Sequence, residues 1–532
     1  MKFKSAIIVL VALLLTSVSL AQEPAYNWAE PNTNNYPARN INKLLSIGDE
    51  GFVILRIDKT QVFRPIYWLE TFNKDLKLVD TRKVEFNGGV MKEAFFLDEI
   101  KVVNDKIYAL VTGWSKSAQK RTQIVRQLSL DGTMDEGVEL DFISAEKMRK
   151  SGSFKTAFSD DGTKLVVLSE FPYKKKTMDK IKLTCYSFPA MRPLWSEEKV
   201  LKFPSKRSKT HQVAVDNSGN AYVLKTFMKK LKLSYTMYAC NGKAGFAEPS
   251  TFNLEERVLE DKKMMFDQDN NFFLYATYMN RSSKRIKHIN GSLFVKYEGL
   301  KQTVFERKTW DKSLIAKIEG ERRSTKGEDS YLGYVYIKDI LFRKDGKMLV
   351  LMEQLNHDSK AIAGSSPIQF SHEWHYNDFI VQCLDPATGD LVWWHSFDKS
   401  QDFITNTDAE HYGSYVYHLK NDRLFVLWNN EKLTAAAIPA PSWREADGVK
   451  YVKRKAFDEK TVHGTFMRVI EPDGSDAYQN KKFGLPLFNM HRGAFFEMSM
   501  NTSFSFNIDG NLVIMATMHN GGKRYRFGFV GL

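Results

Sequence analysis

One ten-residue pattern of polar and apolar positions recurs without gaps along the chain. It reads GFVILRIDKT from Gly51, KIYALVTGWS from Lys106, KLVVLSEFPY from Lys164 and NAYVLKTFMK from Asn220. It continues as NFFLYATYMN from Asn271, KMLVLMEQLN from Lys347, RLFVLWNNEK from Arg423 and NLVIMATMHN from Asn511. The first position is polar or glycine, and the next four are apolar. A strand with one wet face alternates apolar and polar residues, because successive side chains point to opposite faces. Four apolar residues in a row, rich in Val, Leu, Phe and Tyr, therefore predict a strand buried on both faces.

A turn precedes each copy. The turns are Asp49-Glu50, Asn104-Asp105, Asp160-Asp161-Gly162, Asn217-Ser218-Gly219, Asp269-Asn270, Asp345-Gly346, Asn421-Asp422 and Asp509-Gly510. Asx and Gly residues accept the positive φ of tight hairpins. Another apolar stretch lies before each turn, as in KTAFS, HQVAV, KDILF and SFSFN. Each unit thus opens with a hairpin. A second hairpin follows in most units, with turns at Leu130-Asp131-Gly132, Asn241-Gly242, Asp385 to Gly389 and Pro472-Asp473-Gly474. Two hairpins in series make a four-stranded antiparallel meander. Early copies start about 50–60 residues apart, which suits one four-stranded blade of roughly 40–50 residues with modest loops.

This arrangement resembles an all-β fold, the β-propeller, over nearly all of the chain. Eight copies imply eight four-stranded antiparallel blades, with seven as the alternative if one copy is not a blade. The Gly-His and Trp-Asp pairs of WD40 blades are absent, as are kelch double glycines. Asp385-Pro386-Ala387-Thr388-Gly389-Asp390-Leu391-Val392-Trp393 is similar to one blade motif of quinoprotein-like propellers. Those proteins repeat it in most blades and here it occurs once, so no quinone site is carried over. Tyr525 to Leu532 leaves the last blade one strand short. The segment from Glu23 to Arg39 can fill the place, and an outer strand tolerates its prolines.

The first 21 residues read as a secretory signal peptide. Lys2 and Lys4 precede an apolar run from Ile7 to Leu20, and Ser19-Leu20-Ala21 offers small residues for cleavage. The run is shorter than the roughly 18–20 residues that span a bilayer. No later stretch is apolar enough to be a transmembrane segment. The expectation is an exported bacterial protein, periplasmic or secreted, whose single propeller domain covers residues 22–532. Export changes what the charge means. The chain has 77 basic and 63 acidic residues and a formal net charge of +14. Outside the inner membrane an anionic partner is a lipid headgroup, an acidic glycan or an acidic protein face, and nucleic acid is not expected.

Late units carry long insertions near 355–375 and 429–457, both expected as loops joining the second strand of a blade to the third. In propellers those loops share a face with the links between blades, and that face usually carries ligands. Neighbouring insertions should form one raised rim. Trp114, Tyr173, Arg281, His357, Trp428, Asn429 and His519 end repeated strands and should point toward it, and His372 and His375 of the first insertion are expected to join them in binding a ligand. Aromatic rings beside Arg, Asn and His suit a glycan or a peptide. The expected role is a binding or scaffold protein for a protein or glycan. The alternative is a polysaccharide hydrolase or lyase with its site in the central funnel.

Motif chemistry adds little. His372 and His375 flank Glu373, but the spacing is one residue short of the helical zinc motif, and on a strand the two histidines face opposite sides. No metal or cofactor is expected. Asp267 to Asn271 begins like a calcium loop but lacks its glycine and terminal Glu, so a hairpin turn is the reading. Glu170, Glu353 and Glu431 end repeated strands, yet nothing in their spacing singles out an acid–base pair. Cys185, Cys240 and Cys383 fall at matching points of three units, each in a third strand. That separates them beyond disulfide reach and predicts three free buried thiols.

Overall fold

A computed structural model describes residues 25–33, 39–58, 66–84, 93–173, 176–204, 208–229, 232–255, 257–280, 288–320, 330–362, 370–399, 401–405, 413–434, 444–446, 449–451, 461–479, 488–491, 494–498, 505–508, 510–518 and 524–532. The predicted signal, residues 1–21, lies outside them, as do Arg281 and His519. Eight antiparallel sheets follow one another around an axis. The repeated pattern is the second strand of every blade, from Phe52–Asp58 in the first to Asn511–Met518 in the eighth. The strand before it is innermost. Inner strands of neighbouring blades touch at the axis, as Ser153–Phe158 does Ser208–Val215 and Arg39–Ser46 does Ser505–Ile508.

The four-residue apolar run has a direct structural cause. The core is divided into eight clusters, one between each pair of neighbouring blades. In the third blade Leu165 and Val167 pack toward the second blade, while Val166 and Leu168 pack toward the fourth. Alternate side chains thus enter different clusters, and both faces of the strand are dry. Such burial stabilises by about 25 cal/mol per Å² of apolar surface.

Among the described residues the predicted turns are hairpin turns. Asn104, Asp105, Asn270, Asn421 and Asp422 all have positive φ. The calcium-like stretch is one of these turns: the Asp267 carboxylate accepts the amides of Asp269 (3.0 Å) and Asn271 (2.8 Å). Turns also bond to each other around the ring. Asn217 accepts the Asp161 amide at 3.1 Å, Asn270 accepts the Asn217 amide at 3.2 Å, and Asp422 accepts the Lys344 amide at 2.7 Å.

The quinoprotein-like stretch also joins blades. Its Trp393 lies under Gly474 of the seventh blade, where a Cβ would stand 2.7 Å from the indole Cγ. The Trp393 indole N–H donates to Pro472 O at 3.4 Å. Trp195 does the same work under Gly242 of the fourth blade, with no such motif around it. Only glycine lets the next turn lie this close to a ring.

The chain closes on itself. Ala25–Trp28 pairs antiparallel with the last strand, Arg524–Gly531, with Trp28 opposite Gly528. The eighth blade therefore takes its outer strand from the N-terminal side and its inner three from the C-terminal side. Among the described residues no helix is long and apolar enough to cross a membrane.

The three cysteines are free and buried in third strands of the third, fourth and sixth blades. Burial pushes the Cys185 and Cys383 thiols up to about 11 and Cys240 up to about 12. Denatured protein should release three thiols to a chromogenic disulfide reagent, and native protein should react at least tenfold more slowly. A count of one would contradict the assignment.

Candidate functional site

The insertions differ from the expected loops. The first is mostly strand: Met348–Ala361 and Phe370–Leu384 form one long hairpin that runs past the sixth blade. The second contributes Arg444–Ala446 and Val449–Tyr451, a small hairpin from the seventh blade. Gln401–Thr405 lies between, pairing with Phe370–Leu384 on one side and Val449–Tyr451 on the other. The two insertions are thus hydrogen-bonded into one sheet. The physical reason is alternation: Phe370, His372, Trp374 and Tyr376 are two residues apart, which a strand places on one face.

That face carries a ladder of rings. His357, opposite Trp374 in the register, stacks on it with centroids 3.8 Å apart and planes 12° apart. Trp374 and Tyr376 lie 6.2 Å apart at 11°. His357 Nε2 and His372 Nδ1 are 3.0 Å apart, so one donates and the other accepts, and at least one imidazole is neutral. Phe370 and His357 are exposed at the far end, and Tyr376 is buried at the near end. His375 faces the other way, opposite Asn356 and Asp402 in the register, as the strand argument required.

A cavity of about 490 Å³ opens at the foot of this hairpin. Its wall includes Glu319, Gln354, Asn356, Asn377, Asp378 and Asp398. Glu319 ends the helix Lys312–Glu319, which fills part of the extra length of the fifth unit and is capped by Asp311. The Glu319 carboxylate is held by the Gly333 amide at 2.8 Å and the Gln354 amide group at 3.0 Å. Asp378 accepts the Lys399 backbone amide at 3.1 Å. Carboxylates and amides presented by a rigid frame suit hydroxyl-rich ligands.

Beneath the cavity lies a buried ion cluster. Glu353 Oε1 is 2.7 Å from Lys399 Nζ, and both side chains are 0% exposed. Lys338 Nζ approaches Glu353 at 3.0 Å and the Ser414 hydroxyl donates to it at 2.8 Å. The sixth or seventh position of the repeat is polar and buried in most blades. Arg56, Ser169 and Lys225 stand at the sixth, and Thr112, Thr277 and Asn429, like Glu353, at the seventh. Several reach across to a neighbouring blade. Lys225 Nζ meets Glu170 at 3.1 Å, and Tyr525 OH donates at 2.9 Å to Glu70, the partner of Arg56. Glu170 of the third blade and Glu353 of the sixth, two strand-end carboxylates of the sequence, are thus joined to lysines, the first to Lys225 of the fourth blade and the second to Lys338 and Lys399.

The remaining expected residues are dispersed. Trp114 is buried in the second blade, and Tyr173 is exposed after a strand of the third. Trp428 is buried in the seventh, stacked on Phe466 at 5.4 Å and edge-on to Phe379 at 5.0 Å. Asn429 is buried beside it, its carbonyl accepting from the Gln401 amide group. Their burial makes Trp114, Trp428 and Asn429 packing residues, and the second and third blades lie across the ring from the sixth and seventh. The structure brings together His357 and His372 alone of the expected set. It adds Trp374, Tyr376 and Phe370, which the two-residue aromatic spacing signalled.

Carboxylates of the funnel wall face different neighbours. Asp98 and Glu99, on the inner strand Glu93–Val103 of the second blade, are both raised by desolvation. Asp98 accepts from Thr112 Oγ1 at 2.6 Å and Gln123 Nε2 at 3.1 Å, while Glu99 faces Lys43 and Lys101. Among the described residues no group of three His, Cys, Asp or Glu side chains could hold a metal ion.

No protein-family model and no curated relative matches the chain. Solved propellers are similar to it in fold. The WD40 domain of SCAP from fission yeast shares 10% identity, covers 97% of each chain and gives a TM-score of 0.36. Sqt1 of Saccharomyces cerevisiae shares 8% identity over 95% of this chain and 99% of its own, with a TM-score of 0.38. A quinohemoprotein alcohol dehydrogenase from Pseudomonas putida shares 8% identity over 95% and 76%, with a TM-score of 0.39.

Proposed function

We propose that this chain is an exported binding propeller that recognises a glycan on the insertion face of its sixth and seventh blades. The observation that carries the reading is the ring ladder Phe370, His372, Trp374 and Tyr376, with His357 stacked on it, beside a polar cavity of about 490 Å³. Sugar rings present apolar C–H faces and a rim of hydroxyls. Aromatic faces meet the first, and carboxylates and amides meet the second. A loss of 1.4 kcal/mol, within reach of one or two stacking contacts, is tenfold in affinity.

A glycan array followed by titration of the best hit tests this. Phe370→Ala combined with His357→Ala should weaken binding at least tenfold. The thermal midpoint should move by no more than about 2 °C, because both side chains are exposed and ordinary surface changes stay within about 0.5 kcal/mol. Unchanged affinity in that double variant would sink the proposal. Capture of an envelope protein with no glycan hit would instead support a protein partner.

A further inference from the structure

Lysines on the channel wall have anionic neighbours as a rule. Lys263 Nζ lies 2.5 Å from Asp339, and Lys338 Nζ lies 3.0 Å from Glu353. Lys43 donates to Ile100 O at 2.7 Å and faces Glu99, and Lys101 faces Glu99 and Asp160. The quadrant made by the third, fourth and fifth blades departs from this rule at Lys155 and Lys209, on its third- and fourth-blade strands. Its inner strands are Ser153–Phe158, Ser208–Val215 and Arg257–Phe266, each touching the next at the axis.

Lys155, Lys209 and Lys262 sit at adjacent levels of this wall. They stand opposite Leu168, Thr226 and Ala276 of their own second strands, toward the end of the channel that carries the second-to-third connections. All three are at least partly exposed. Among the described residues neither Lys155 nor Lys209 has a carboxylate partner. Lys262 donates to Glu260 O at 3.0 Å, with the Glu260 and Asp261 carboxylates nearby. Asp261 is itself engaged, accepting the Ile337 amide at 2.7 Å and the Lys262 amide at 2.8 Å.

His211 lies among them. Gln212, beside it, donates to Lys262 O at 3.3 Å and ties the two strands together. His211 Nε2 is 3.0 Å from Thr226 Oγ1. Burial, then Lys262, Lys209 and Lys155, press its imidazole down to about 4, so the ring is neutral at neutral pH. His211 thus feels the positive charge of all three lysines. A confined wall of one sign focuses field lines and concentrates counter-ions. Ammonium groups bind tetrahedral oxyanions as point charges without a fixed fork.

We propose that this quadrant of the channel binds an oxyanion, a phosphate or sulfate ester group, with Lys155 and Lys209 as its charge-bearing contacts and Lys262 and His211 beside them. The site is separate from the hairpin face and does not depend on the glycan reading.

Titration calorimetry at low salt with pyrophosphate and with inorganic sulfate tests it and separates the two ester classes. Binding should saturate with at least one of them. It should weaken at least tenfold in Lys155→Gln/Lys209→Gln. It should stay within twofold in Lys243→Gln/Lys301→Gln, which removes the same charge from exposed outer positions. In wild-type protein the bound anion should also raise the His211 pKa, read by NMR titration. That second readout needs no substitution. Absence of saturable binding, equal weakening in both double variants, or an unmoved His211 would each overturn the proposal.

Discussion

Replacing Glu353 by Gln should cost about 3–5 kcal/mol of stability, the usual penalty for breaking a buried ion pair by removing one partner. Glu353 and Lys399 are both fully buried and 2.7 Å apart. Lys399 also bonds to Gln401, which holds the Ser414 amide and carbonyl. The cluster thus joins the second strand of the sixth blade to the link leading into the seventh. Gln keeps the shape but leaves the fully buried Lys399 ammonium without its nearest counter-charge. Urea unfolding at neutral pH measures the loss; a change under 1 kcal/mol would contradict the account.

The same pair sets a pH dependence. Burial works against the Glu353 charge, but Lys399 and Lys338 outweigh it and hold the carboxyl below the ordinary carboxylate range. A folded-state value below the unfolded one means that the unfolded state binds more protons at acidic pH. The contribution is therefore present above the ordinary carboxylate range and lost as pH falls through the folded value. Wild-type stability should drop along that limb, and Glu353→Gln should be flatter there.

Deleting residues 25–33 should open the ring. Ala25–Trp28 supplies the outer strand of the last blade, and its removal leaves the edge of Arg524–Gly531 unpaired. Trp28 lies against Gly528, whose Cβ would stand 2.5 Å from the indole, and the Arg526 guanidinium sits over its ring at 5.0 Å. Ladder hydrogen bonds at about 1 kcal/mol each and loss of a large aromatic at about 3–5 kcal/mol put the penalty above 5 kcal/mol. An unpaired edge also templates association, so the truncated protein should self-associate. Calorimetry and light scattering read both effects. Gly528→Val is the point-substitution counterpart, since its side chain would enter the Trp28 ring. A truncated protein that stays monomeric with an unchanged midpoint would show that closure lies elsewhere.

Much of the ring was legible because its signals are local. Leu165 to Leu168 are consecutive and apolar, and that alone states burial on two faces. Asn104-Asp105 and Asn421-Asp422 state their turns through backbone preference. The site was less legible. Trp428 ends a repeated strand, as His357 does, and nothing nearby in sequence shows that Phe379 and Phe466 cover it. The stretch from Phe370 to Tyr376 was expected as a loop although its spacing already described a strand.

The sequence by itself determined strand order, turn positions and the missing outer strand, and narrowed the ring to eight or seven blades, because each depends on residues within one hairpin or on counting hairpins. Tertiary structure decided what the polar ends of those strands do. Whether Glu353 meets Lys399, whether Lys155 lacks an acid, and whether rings align along one face depend on side chains from different strands and blades. Their distances exist only once the ring has closed, since electrostatic and stacking energies depend on separation in space and not along the chain.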